Sequence, residues 1–288
     1  MANIRKPAVA GMFYEDSRSA LLSQIEGCFN HRLGPGPFTM QVLQSGSCQS
    51  LIAPHAGYPF SGPCAAHAFS TVDAIPPFIL LLGPSHTGSG TILSMSRWET
   101  PFGIVEPRSD VTREVANATG VPIDDDAHRD EHSLEVQLPF LQYVFEGNMP
   151  PIVPMMVSPD RDMGELGIAL AKILSAQDTY PLVVVSSDFT HFGPRFGYVP
   201  FTDDVKENMY DLDHEALSYV TSLDIEGFRA FLDRTGATIC GAYPIQVLLA
   251  LHPGAKGDIL SYYTSGDITG DYSSAVAYAS VRFPLDPR

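Results

Sequence analysis

A chain of 288 residues that is 44% hydrophobic carries enough apolar material for one sizeable core. Its 33 acids outweigh 17 lysines and arginines, giving a formal net charge of −16. That balance argues against a nucleic-acid partner and against an anionic membrane surface, because both recruit clustered Lys and Arg.

The opening MANIRKPAVAGMFYEDS lacks the apolar centre of a secretory signal. No apolar run approaches the roughly 20 residues needed to span a bilayer. Four cysteines, Cys28, Cys48, Cys64 and Cys240, form no CxxC pair. So few in a chain this long argue against a disulfide framework. The expectation is a reduced, cytoplasmic protein.

Residues 17–30, SRSALLSQIEGCFN, predict a helix opened by a Ser or Asp cap. After the loop LGPGPF comes SLIAPHAGYPFSG, a short apolar strand broken by Pro54 and followed by a Gly-rich loop. PCAAHAFSTV predicts a helix. FILLLGPSHTGSG repeats the scheme: continuous apolar strand, Gly-Pro, Ser-His, loop. PIVPMMVSP and PLVVVSSDFTHFG predict two more strands, with a helix of regular apolar spacing between them in DMGELGIALAKILSAQD. Three helices follow, in DVKENMYDLDHEALSYV, DIEGFRAFLDR and GAYPIQVLLALH, and then two strands, GDILSYYTSGD and SSAVAYASVRFPL. Unbroken apolar strands alternating with helices predict an α/β fold, with a central sheet covered on both faces. No linker or fixed-period repeat divides the chain, so one domain spanning 1–288 is expected.

Three strands end in histidine. LIAPH delivers His55, LLLGPSH delivers His86, and VVVSSDFTH delivers Asp188 and His191. Ligands bind outside the carboxyl ends of strands in open α/β sheets. Three imidazoles at equivalent strand ends therefore point to one shared site, and grouped imidazoles suit a transition metal. A single histidine is as well explained by a structural hydrogen bond; His31, His67, His214 and His252 have no such placement and are read that way. In DDDAHRDEHSLEVQLPF, a helix starting at Asp130 to His132 would put His132 and Glu135 on one face, either lining a site or forming a charged first turn. Cys240 precedes Gly241 and a predicted helix. A thiol there is either a low-pKa ligand or nucleophile, or a small buried apolar residue.

Taken together, APHAGYPFSGPCAAHAF, LLGPSH, DEHSLEVQLPFL, SSDFTHFGPRFGY and TICGAYPI resemble the Memo family, also called AmmeMemoRadiSam system protein B. The opening RKPAVAGMFYEDSRSAL is similar to the family's N-terminal signature, and the resemblance runs from about residue 5 to about 283. It implies a fold similar to class III extradiol non-haem iron dioxygenases, a mixed, mostly parallel sheet with helices on both faces. It implies His55, His86 and Cys240 as metal ligands, with Asp188, His191, His132 and Glu135 beside them. His191 would act as base or hydrogen-bond donor to a bound ligand. Asp188 would orient a water or a ligand histidine.

The dioxygenases use two histidines and a carboxylate, and here a cysteine takes the carboxylate's place. Fe(II) is the expected metal, and the softer donor set also admits copper or zinc. Gln137 stands where family members often carry a second histidine.

Four readings are carried forward. The first is an Fe(II)-dependent oxidoreductase acting on a small molecule. The second is a metal-binding protein without turnover. The third is a peptide- or partner-binding module that reuses the cleft, with Arg97 or Arg195 available to an anionic peptide. The fourth is a zinc hydrolase. The family name also implies a functional link to a radical-SAM enzyme.

Overall fold

The computed structural model describes residues 3–38, 44–45, 50–252 and 256–284. Cys48 lies outside them. The main sheet is built from eight strands: β1 (Ser50–Ala53), β2 (Ile79–Pro84), β3 (Ile92–Leu93), β4 (Ile152–Val157), β5 (Leu182–Ser186), β6 (His191–Phe192), β7 (Asp258–Thr264) and β8 (Ala275–Phe283). Their order is β6-β8-β1-β5-β2-β4-β3, with β7 paired to β8. The four central strands β1, β5, β2 and β4 are mutually parallel, and the strands flanking them pair antiparallel.

Among the described residues, the eight longer helices that pack around this sheet are α1 (Arg18–Asn30), α2 (Tyr58–Phe69), α3 (Ser109–Thr119), α4 (Gln137–Phe145), α5 (Met163–Ser175), α6 (Val205–Thr221), α7 (Ile225–Thr235) and α8 (Ala242–Leu251). The continuous apolar strands serve two cores because successive side chains leave opposite faces. Leu80, Leu82, Val183 and Val185 join the core under α3, α5, α6, α7 and α8. Ile79, Leu81, Leu182 and Val184 join the core under α1, α2 and α4. A mixed α/β domain covered on both faces is therefore what the chain forms.

The predicted cap holds at α1, where Ser17 Oγ accepts from Ala20 N–H at 3.4 Å; α5 is capped as well, Asp162 accepting from Glu165 N–H at 2.8 Å. Two boundaries differ from expectation. The stretch read as a Gly-rich loop after Pro54 is the start of α2, which opens at Tyr58 and runs through Pro63. Pro59 lies in its first turn, where no intrahelical N–H is required. The helix expected from about Asp130 instead begins at Gln137, and residues 133–136 form a turn. The side chains before Gln137 are each held by a different part of the molecule, as described next.

Candidate metal centre

The three sequence-predicted strand ends meet. β1 runs into Pro54-His55, β2 into Ser85-His86, and β5 into Ser187-Asp188 and onward to His191. Cys240 arrives from the opposite direction, just before α8 and its N-cap Gly241. One ligand atom from each of His55, His86 and Cys240 lies within 4.8 Å of the others. Cys240 Sγ is 3.2 Å from His55 Nε2. Two further groupings share members with this one: His86 with Glu131 and His132, and Asp188 with His191 and Cys240. His55 and His86 rings meet edge-on at 5.2 Å, and His132 stacks on His86 at 4.6 Å.

The site is braced from behind. The buried Glu131 carboxylate accepts from His86 Nδ1 at 2.9 Å and from His86 backbone N–H at 2.5 Å. It also accepts from Ser133 N–H at 2.9 Å. Burial opposes its charge, but these hydrogen bonds and the His86 ring win, and the carboxyl is held down to about 2. An ionised Glu131 fixes the proton of His86 on Nδ1 and leaves Nε2 facing the cluster, the carboxylate–histidine arrangement common behind metal ligands. His191 Nδ1 lies 2.9 Å from Phe189 O and 3.0 Å from Thr238 O. Both partners are carbonyls, so Nδ1 is the donor and Nε2 carries the lone pair.

Asp188 is buried, and its Oδ1 accepts from the backbone N–H of His55 at 2.8 Å and of Ala56 at 3.4 Å. It therefore orients His55 through the main chain. Burial raises its pKa, countered chiefly by His191. Burial, then His86, His132 and His191, push the His55 imidazole well below its usual range.

Of the two readings of Cys240, the low-pKa thiol is the one its surroundings oppose. Burial, then the Asp188 carboxylate, push it well above its usual value, against hydrogen bonds from Asp188 N–H, at 3.1 Å, and the Gly241 backbone. Removal from water outweighs the start of α8.

His132 joins the cluster, but Glu135 does not. Its carboxylate pairs with Arg5 at 2.5 Å and accepts from Tyr14 Oη at 2.6 Å. Ala8 and Val9 N–H donate to it as well, at 2.7 and 3.1 Å. Glu135 thus anchors the N-terminal segment, which brings Phe13 edge-on to His132 at 4.8 Å. The acid that stands beside the histidines is Glu131, and the His132/Glu135 face expected from the sequence does not form, because the helix begins only at Gln137. The signal that sequence reasoning missed is a Glu immediately before a His with Ser two residues on, a pattern suited to a side chain that closes its own turn. Of the two arginines considered for an anion, Arg97 is engaged by Glu106 at 2.9 Å. Arg195 lies over Phe196, whose ring meets His191 at 5.1 Å.

The residues fit a transition metal on the chemistry of the donors: two imidazoles and one sulfur converge. Among the described residues, no helix is long and apolar enough to cross a membrane.

A family model for Memo-like protein matches residues 5–282. A MEMO1 family protein of Methanopyrus kandleri is 37% identical, covering 97% of this chain and 98% of its own. One of Sulfurisphaera tokodaii is 38% identical, covering 97% and 99%. Among solved structures, the uncharacterized protein JW3007 from Escherichia coli K12 is similar at a TM-score of 0.55 and 14% identity, covering 82% of this chain and 100% of that one. At that identity the likeness concerns the fold alone.

Proposed function

The chain belongs to the Memo-like family, and from that premise we propose that it holds one redox-active metal ion, Fe(II), at His55, His86 and Cys240 and oxidises a small molecule there with O2 as the oxidant. The observation that carries this reading is the convergence of the three ligand atoms within 4.8 Å. When bound, the metal supplies Lewis acidity and a one-electron couple, which two histidines and a thiolate suit for iron and also for copper.

The chain's own residues supply the rest. His86, with a side chain 36% exposed, forms the open edge from which a small molecule reaches the cluster. His191, through its Nε2 lone pair, accepts a proton from a hydroxyl of that molecule. Asp188 holds the His55 main chain in place, and Phe13 and His132 wall the site on the side of the N-terminal segment.

A second reading, metal storage or delivery without turnover, is favoured by the sulfur donor, which binds soft ions such as Cu(I) well.

The test is metal analysis of anaerobically purified protein beside Cys240→Ala and His86→Ala, followed by oxygen uptake with catechols. Stoichiometric iron lost in both variants, with metal-dependent uptake in the wild type, supports the oxidoreductase. Tight metal without uptake across the screen supports the storage reading. No metal after anaerobic addition of Fe(II) and, separately, of Cu(I) sinks both.

A further inference from the structure

His86 has Glu131 to set its proton; His55 has no carboxylate on its outer nitrogen. Its Nδ1 faces the hydroxyl of Ser186 at 2.8 Å, and that hydroxyl has three neighbours. Ser133 O lies 2.6 Å away, His55 Nδ1 is the second, and Gln137 Nε2 lies 2.8 Å away. Ser186, Ser133 and Gln137 are all fully buried.

Proton counting gives one solution. Gln137 Nε2 also lies 3.0 Å from Pro54 O. That carbonyl can only accept, so the amide nitrogen faces it, and the two amide protons go to Pro54 O and Ser186 Oγ. Ser133 O, likewise only an acceptor, takes the single hydroxyl proton of Ser186. Ser186 Oγ then has one lone pair left, and His55 Nδ1–H fills it.

The structure assigns to Ser186, locked in place by Gln137, the role of a positioning residue that fixes the proton of His55 on Nδ1 and so keeps Nε2 bare toward Cys240. A hydroxyl thus does for His55 what a carboxylate does for His86. The segment 131–137 braces both: Glu131 holds His86, while Ser133 and Gln137 hold the hydroxyl that holds His55. Only the metal-affinity arm of the test rests on the function proposed above.

The test begins with metal-free protein labelled with 15N-histidine, read by long-range 1H–15N spectra at neutral pH, with His55 identified by its loss in His55→Gln. The expected wild-type spectrum has His55 protonated at Nδ1 and bare at Nε2. Ser186→Ala should move proton population to Nε2, Ser186→Thr should restore the wild-type pattern, and Gln137→Leu should give a mixture. A wild-type proton on Nε2, or an unchanged spectrum in Ser186→Ala, overturns the assignment; the wild-type spectrum decides alone if that variant does not fold.

Titration with Co(II) supplies the second arm. Ser186→Ala should weaken binding about 10- to 100-fold, the usual cost of losing a partner behind a ligand histidine. Wild-type protein that shows the Nδ1 proton but takes no Co(II) overturns the metal reading and leaves the tautomer assignment standing.

Discussion

Glu131 and Glu135 are four residues apart, both buried, and do unrelated work. Glu131 carries a negative charge behind His86. Glu131→Gln keeps the shape and removes the charge, so Co(II) affinity should fall by about 10- to 100-fold, read by competition with a chelator. Glu135 neutralises Arg5 and ties down Ala8, Val9 and Tyr14. Glu135→Ala leaves a guanidinium buried without its partner, which costs roughly 3–5 kcal/mol, measured by urea unfolding. His55, His86 and His191 were legible in the sequence because each follows a run of buried strand, and a polar residue at a strand end has few places to go. The choice between the two glutamates was not legible. Local sequence gives their spacing, whereas their partners, His86 and Arg5, lie 45 and 130 residues away. Ser186 was hidden for the same reason, since a serine closing an apolar run looks like the strand merely reaching solvent.

The elements themselves were largely legible. Unbroken apolar runs and stretches of helical apolar spacing gave the central strands and α1, α5, α6, α7 and α8 close to their true limits. The failure at 130–136 has a physical cause: distant partners hold these residues in a turn, the Glu131 carboxylate accepting from His86 N–H and Ser133 Oγ donating to Pro84 O at 2.9 Å. The start of α8 shows how tightly such junctions are drawn. A Cβ on Gly241 would stand 2.3 Å from Ser187 Cβ and 2.9 Å from Ser186 O. Gly241→Ala must therefore push the chain beside Cys240, and it should cost about 1–3 kcal/mol and weaken Co(II) binding as well. Gly167, in α5, meets α8 just as closely, 2.6 Å from Ala250 Cβ and from Val247 O. Gly167→Ala should lose comparable stability while leaving Co(II) affinity unchanged. Equal losses of affinity in the two variants would mean that the clash at Gly241 acts only through global stability.

Over the whole molecule, one buried acid other than those beside the clustered histidines couples pH to folding. Asp213, on α6, accepts from Thr190 Oγ1 at 2.6 Å and from Tyr262 Oη at 2.7 Å. Burial pushes its carboxyl up to about 6 in spite of those donors. The unfolded chain ionises this group near 4, before the folded one does. Its contribution to stability is thus complete below about pH 4 and is lost as pH rises through 6. The loss is at most about 3 kcal/mol for a shift of this size. Asp213→Asn should abolish it, so wild type should lose stability relative to the variant between pH 4.5 and 7 in urea titrations. A constant difference across that range would mean the carboxylate stays charged in the fold.

The position of β8 bears on how the protein is made. Phe189 N–H donates to Ala277 O at 2.8 Å, and Ala277 N–H to Thr190 O at 2.9 Å, so the segment bearing Asp188 and His191 takes its main-chain partners from the last strand of the chain. On its other side, β8 pairs with β1, the strand that leads into His55. His55, His86 and Cys240 are therefore synthesised before the strand that seats their neighbours. A chain without β8 would carry these three side chains but not the strand that holds Asp188 and His191 beside them.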